Sequence, residues 1–348
     1  MIRSIISIVG LMCCCSAVAA DSEVDFKNKT ILMVVGFAPG GGTDSAGRLI
    51  AGSLGRQLLG GPTVTVQNVP GADGASALNY FVQRSKTDGL MITMGSGSQV
   101  DPLHYRKPQA RYDPNNFAFI GGAGRGGTAL VINKQAERRL LDSASPPVIM
   151  GSLSGIPRSG MQSAAWGKEF LGWNLKWVVG YRGTNELTGA LERDEIDMTS
   201  TGSVPLIEKL VGTGRFKILT QSGTMENGKL GPRAEFGDAL VIPHLVEGKI
   251  QDPTAARSFA YWANLNAMDK WLALPPNTPQ PLVHAYRVAF KKIVADPVFN
   301  QRRAGVADDF TLAPHEEVEA WVRNLASTPP EAIEYISVML RGQGIQVD

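Results

Sequence analysis

Short apolar runs rich in β-branched residues alternate with stretches of helical periodicity from Ile31 onward, and that alternation confines the chain to an α/β fold. The first run, Ile31-Leu32-Met33-Val34-Val35, is almost continuously apolar, as a strand covered on both faces requires. Ala46, Leu49, Ile50, Leu54 and Leu58 follow at helical spacing. A strand over 63–67, a helix over 74–84 and a strand over 90–94 complete a βαβαβ unit. Further strands are expected near 117–120, 129–132, 148–150, 177–179, 197–200 and 216–220, with helices over 159–171, 185–193 and 204–212. Residues 225–281 are rich in proline, glycine and polar residues and read as loops plus a strand returning to the first domain. Amphipathic helices near 282–294, 315–326 and 330–341 follow. With 348 residues the chain exceeds one ordinary core and suits two domains.

Ligand sites of open α/β sheets lie beyond the carboxyl ends of strands. The first such end carries Phe37-Ala38-Pro39-Gly40-Gly41-Gly42-Thr43-Asp44, where glycines allow close backbone approach and a helix N-terminus offers unpaired N–H groups. This loop suits a carboxylate or phosphate, and equally serves as a tight βα turn. Thr43 or Asp44 is expected to cap the helix; a ligand contact by Asp44 would have to be with a hydroxyl, an amine or water. Gly151 to Ser159 is a second candidate anion nest, with Ser152, Ser154 and Ser159 as hydroxyl donors and Arg158 as a guanidinium; its other reading is a capped turn. Gly180-Tyr181-Arg182-Gly183 and Ser200-Thr201-Gly202-Ser203 repeat the arrangement.

Several function classes are disfavoured. Lys plus Arg is 34 against 32 for Asp plus Glu, a net charge of +2, so no global field favours nucleic acid or a membrane surface. The four histidines are scattered without metal-ligand spacing, and neither a Gly-x-Ser-x-Gly elbow nor a phosphate-loop lysine motif occurs. Gly122 to Gly127 matches a dinucleotide fingerprint by letters, but a strand-like run follows where a helix is required, so it reads as a crossover between domains. No cofactor, metal site or catalytic residue is expected. At the start, Arg3 and the apolar run from Ile5 to Val18, with Ala17-Val18-Ala19-Ala20 after it, read as a secretory signal over 1–20. Cys13, Cys14 and Cys15 all lie inside it, leaving a mature chain free of thiols. A lipoprotein signal is the other reading, against which Met12 stands.

In this order the motifs resemble the substrate-binding proteins of tripartite tricarboxylate transporters, the Bug receptors. The matching pieces are Phe37 to Asp44 with Arg48, then Val66-Gln67-Asn68-Val69-Pro70-Gly71-Ala72-Asp73-Gly74, Thr87-Asp88-Gly89-Leu90, Tyr112-Asp113-Pro114, Tyr181-Arg182-Gly183 and Asp194-Glu195-Ile196-Asp197-Met198. Leu274-Pro275-Pro276-Asn277-Thr278-Pro279 with Ala295-Asp296-Pro297 is similar to the family's closing segment. The resemblance implies a type II periplasmic-binding-protein fold, two α/β lobes with a ligand cleft between them. Lobe 1 would hold 21–124 and 263–348, lobe 2 125–262.

The resemblance also implies a monomeric periplasmic receptor that captures a small organic carboxylate and hands it to membrane permease subunits. A ligand sensor and a secreted enzyme are the competing readings. Carried over residue by residue, the site would comprise Ala38, Gly40, Gly41, Thr43 and Asp44, Ser96 and Ser98 of the 95–98 loop, and Ser154, Arg158, Ser159, Tyr181 and Asp197. Residues 225–271 depart from the family pattern, and Ile156-Pro157-Arg158 stands where many members carry a glycine–serine pair near a histidine.

Overall fold

The structure is a computed structural model describing residues 24–124, 127–153, 159–181, 184–226, 229–303 and 311–345. The expected leader, Ser154 and Arg158 lie outside the described residues. In chain order the strands are β1 (Thr30–Val35), β2 (Thr63–Asn68), β3 (Met91–Ser96), β4 (Ala118–Gly124), β5 (Ala129–Asn133), β6 (Val148–Leu153) and β7 (Leu175–Tyr181). Then come β8 (Met198–Thr201), β9 (Phe216–Gln221), β10 (Thr224–Glu226), β11 (Lys229–Gly231), β12 (Leu240–Val241), β13 (Lys270–Leu274) and β14 (Thr311–Pro314). They form two six-stranded sheets, β14-β4-β13-β3-β1-β2 and β12-β9-β5-β8-β6-β7, beside a small β10–β11 hairpin.

Register fixes which edges matter. In the first sheet β13 runs antiparallel to both β3 and β4, pairing Lys270 with Ser96 and with Ala123, so β1 to β4 all end at one edge. In the second, β5 runs antiparallel to β8 and β9, and Ala129 pairs with Thr201 and Gln221 where those strands end. Gly124 closes β4 and Ala129 opens β5, so the two carboxyl edges are joined by a link that spans at most about 18 Å when extended. That link is pinned: Thr128 donates its N–H to Ser222 Oγ (2.8 Å) and accepts from the Ser222 N–H (2.8 Å), just past β9.

Most expected elements appear within a residue or two, and the helices Ser159–Leu171, Val204–Gly212 and His315–Ala326 have the bounds read from the sequence. Three differences have physical causes. The glycine tract expected to be crossover continues β4 to Gly124, because β13 and β14 pair with it on either side. A Cβ on Gly122 would stand 2.5 Å from Met268 Sδ and 2.7 Å from Val318 Cγ2, so the packed strand takes glycine there. The segment over 225–281 holds, besides the returning strand β13, helices Ile242–Glu247 and Pro253–Leu265. The longer helix was announced by Asp252-Pro253: the Asp252 carboxylate accepts the Ala255 N–H at 2.7 Å, and proline occupies the first turn. Asp252→Ala is expected to cost about 1 kcal/mol and to lower the melting temperature by about 2–4 °C in a thermal melt.

The third difference concerns the lobe division. The boundary expected at 262/263 falls inside the helix Pro253–Leu265, which packs on the C-terminal helix Pro330–Gly342. Trp166, from the second sheet's helix Ser159–Leu171, packs edge-on against Phe259 (5.0 Å between centroids) and stacks near Tyr335 (6.3 Å). Gln343 adds a hydrogen bond to the Ala165 carbonyl at 3.0 Å. The C-terminal helix, assigned from sequence to lobe 1, therefore lies against helices of the second sheet along one flank. Among the described residues no helix is long and apolar enough to cross a membrane.

Candidate functional site

The loop after β1 has an exposed rim and a buried anchor. Residues 38–42 are exposed, whereas Thr43 and Asp44 are buried, Asp44 at 2%. The helix that follows, Gly42–Gln57, has Gly41 as its N-cap with no side-chain cap, so the expectation that Thr43 or Asp44 caps it is corrected. Asp44 is the third helical residue and folds back onto the loop. Its Oδ2 accepts the Gly40 N–H (2.8 Å) and Arg48 Nε (2.9 Å), while Oδ1 accepts Asn68 Nδ2 (2.9 Å). The same Asn68 amide donates to the Phe37 carbonyl (2.8 Å) and ties the loop to the end of β2. Gly40 sits at φ +80°, a left-handed conformation that lets its N–H point back at the carboxylate.

Electrostatically this carboxylate is already answered. Burial works to raise the Asp44 pKa, but the hydrogen bonds from Arg48, Gly40 and Asn68 and the Arg48 charge together hold it below the ordinary value. The rim meanwhile keeps donors. The first N–H groups of a helix have no intrahelical acceptor, and here they belong to Gly42, Thr43 and Asp44. They carry the positive end of the helix dipole, which favours an anion.

A second loop stands beside the first, because β1 and β3 are neighbours with Val35 opposite Met94. Ser96 donates its N–H to Gln99 Oε1 (2.8 Å), and Gln99 Nε2 donates to the Gly74 carbonyl (2.9 Å). Trp271 Nε1 donates to the Ser96 carbonyl (2.9 Å), and the Gly97 N–H to the Asp269 carbonyl (2.9 Å). The Ser98 hydroxyl is shielded and makes no hydrogen bond within the structure. Ala38, Gly40, Gly41, Thr43, Asp44, Ser96 and Ser98 are thus gathered at one sheet edge.

In the second sheet Tyr181 closes β7 opposite Leu153, the last residue of β6, and is partly exposed. Burial pushes its phenol pKa up. Ser159 opens its helix; a Cβ on the next residue, Gly160, would stand 1.9 Å from Ser200 Oγ, so this helix start sits on the end of β8. Asp197 is elsewhere. It precedes β8, at the opposite end from the carboxyl edge, pairs with Arg139 and accepts the Ile149 N–H at 2.9 Å. Its inclusion among the ligand residues is corrected: its carboxylate fastens the far edge of the sheet.

Sequence reasoning missed two buried cations at the carboxyl edges. Lys270 opens β13 opposite Ser96, its ammonium 2.6 Å from the Asp269 carboxylate. Arg233 lies beside Gly202, donating Nη1 to its carbonyl at 3.1 Å. Both come from the poorly legible stretch, where no local pattern marks a charged residue for burial. Among the described residues no group of three or more His, Cys, Asp and Glu is placed to hold a metal ion.

No family model matches the chain. A UPF0065 protein of Bordetella pertussis is 25% identical over 304 residues, 84% of each chain. A TctC solute-binding protein from Polaromonas, solved without ligand, superposes with a TM-score of 0.64 at 17% identity, covering 90% of this chain and 99% of that one. An R. palustris protein solved with adipate gives a TM-score of 0.59 at 19% identity, over 92% and 99% of the two chains. The chain therefore has the fold of the periplasmic binding proteins, two α/β lobes, the chain passing from the carboxyl end of β4 in one to the start of β5 in the other.

Proposed function

We propose that this protein is an extracytoplasmic solute receptor of the tripartite tricarboxylate transporter type, capturing a small organic carboxylate between its lobes. The observation that carries the reading is the exposed loop over 38–42, fixed from behind by a buried carboxylate that is already neutralised, with helix N–H donors at its rim. Because Arg48, Asn68 and the Gly40 N–H satisfy Asp44, an incoming carboxylate meets donors instead of a competing anion. The similarity to a TctC protein and to an adipate-bound protein points the same way.

The proposed mechanism is a clamp. Lobe 1 presents the loops ending β1 and β3; lobe 2 closes on the ligand with Tyr181 and the Ser159 and Gly202 turns at its own edge. Closure excludes water, and charge-assisted hydrogen bonds of about 1.5–3 kcal/mol each then act in a lower dielectric. Set against the cost of ordering ligand and lobes, they yield micromolar affinity, about −8 kcal/mol. Arg158 and Ser154 belong to the proposed second-lobe contacts. The protein acts as a monomer in the periplasm, after removal of the leader, and passes its ligand to membrane permease subunits. It binds and releases its ligand without chemical change.

Thermal shift with succinate, malate, adipate and citrate tests the reading. At a hundredfold excess over Kd a ligand stabilises by about 2.7 kcal/mol, a rise of several degrees in melting temperature. At least one of these acids is expected to give it. Stabilisation only by neutral or cationic solutes would refute carboxylate binding, and turnover detected by NMR would refute the non-enzymatic reading.

A further inference from the structure

We propose that Arg233 is a positioning residue of the second lobe, fixing the Gly202 turn at the cleft edge and so setting how long the closed cleft holds its ligand. The consequence for binding rests on the receptor reading above; the positioning itself does not.

Arg233 is 3% exposed, a burial that charged side chains reach only when paired. Among the described residues its guanidinium has several partners. Nη1 donates to the Gly202 carbonyl at 3.1 Å, Nε lies 3.3 Å from the Glu235 carboxylate, and the group stands 4.6 Å over the Phe236 ring. Its backbone is fixed too: the Arg233 N–H goes to Gln221 Oε1 at 2.6 Å, while Gln221 Nε2 donates to the Ala239 carbonyl at 2.8 Å. One side chain from the segment foreign to the family pattern thereby reaches from the end of β9 to the turn after β8.

That turn needs an outside partner. Gly202 has no side chain to hold it, and Ser203 caps the helix Val204–Gly212 without a side-chain hydrogen bond. Its local restraint is the Ser203 N–H bond to Thr201 Oγ1, 3.1 Å. Thr201 pairs with Ala129, the first residue after the crossover, so movement here is movement at the mouth of the cleft. A planar, forked guanidinium serves three partners at once, which the single point charge of lysine does not.

The residue should govern release more than capture. The first-lobe loop is exposed and meets the ligand first, whereas the Gly202 turn engages on closure, and such late contacts act mainly on dissociation. Hydrogen exchange on the ligand-free protein provides the first readout. In Arg233→Met the amides between 201 and 206, Pro205 having none, are expected to exchange at least tenfold faster, with the rest of the second sheet unchanged, and Arg233→Lys should fall between. Stopped-flow binding of the acid giving the largest thermal shift among succinate, malate, adipate and citrate provides the second: koff up about tenfold, kon within twofold. Glu235→Gln, at a half-exposed side chain, guards against a methionine variant that fails to fold, and should accelerate the same amides more weakly. Unchanged exchange at 201–206, or acceleration spread evenly over the lobe, would overturn the proposal. If none of the four acids binds wild type while the 201–206 amides still respond, the receptor reading fails and the positioning stands.

Discussion

Replacing Gly42 with proline is expected to leave the fold intact and to weaken carboxylate binding roughly ten- to hundredfold. Gly42 is the first residue of its helix, the position where proline is tolerated because its missing N–H has no intrahelical partner. Gly41 before it is already extended (φ −74°, ψ 164°), the conformation that a following proline demands. The substitution therefore removes one rim donor with little else. A charge-assisted hydrogen bond of about 1.5–3 kcal/mol corresponds to that loss of affinity. Calorimetric titration with the stabilising acid, paired with a thermal melt, separates the two effects. An unchanged Kd would remove the helix N-terminus from the site; a large drop in melting temperature would show that the loop had been distorted.

Asp44→Ala should damage both stability and binding. The carboxylate is nearly fully buried and accepts from Gly40, Arg48 and Asn68; its removal strands the Gly40 N–H and the Asn68 amide. We expect a loss of about 2–3 kcal/mol in stability, with affinity falling at least tenfold as the loop over 38–42 loosens. The pH dependence has a definite sign. The folded-state pKa lies below the ordinary 3.8, so the stabilisation is fully present above that pH and is lost as pH falls through the folded value. Melts of wild type and variant between pH 3 and pH 7 should differ by a constant amount above about pH 5 and converge in acid. A difference independent of pH would mean that the charge contributes nothing.

Much of the first lobe was legible because its signals are local. Apolar runs and helical periodicity lie within one element, so Ile31 to Val35 and Ala46 to Leu58 announce their own strand and helix. The loop between them was read as a candidate site from its glycines and its place at a strand end. The role of Asp44 was not legible. Capping chemistry is local and was the natural expectation, but this carboxylate is claimed by Asn68, which parallel pairing of β1 with β2 brings beside it.

The same distinction accounts for the errors further on. The tract from Gly122 looks like crossover in isolation and is strand as far as Gly124 because β13 and β14 pair with it on either side. Asp197 fits a family motif by letters, yet strand direction carries it to the far edge of the second sheet. Arg233 had no local mark at all; its burial depends on Gly202, Glu235 and Phe236 converging around it. By itself, the sequence determined the alternating α/β order, the glycine-rich turn after β1 and most element bounds, since periodicity and turn chemistry act over a few residues. Only the tertiary structure decided which strand ends share an edge, which carboxylates are neutralised and which cations are buried. Those outcomes depend on contacts between residues far apart in the chain, and no short-range pattern encodes them.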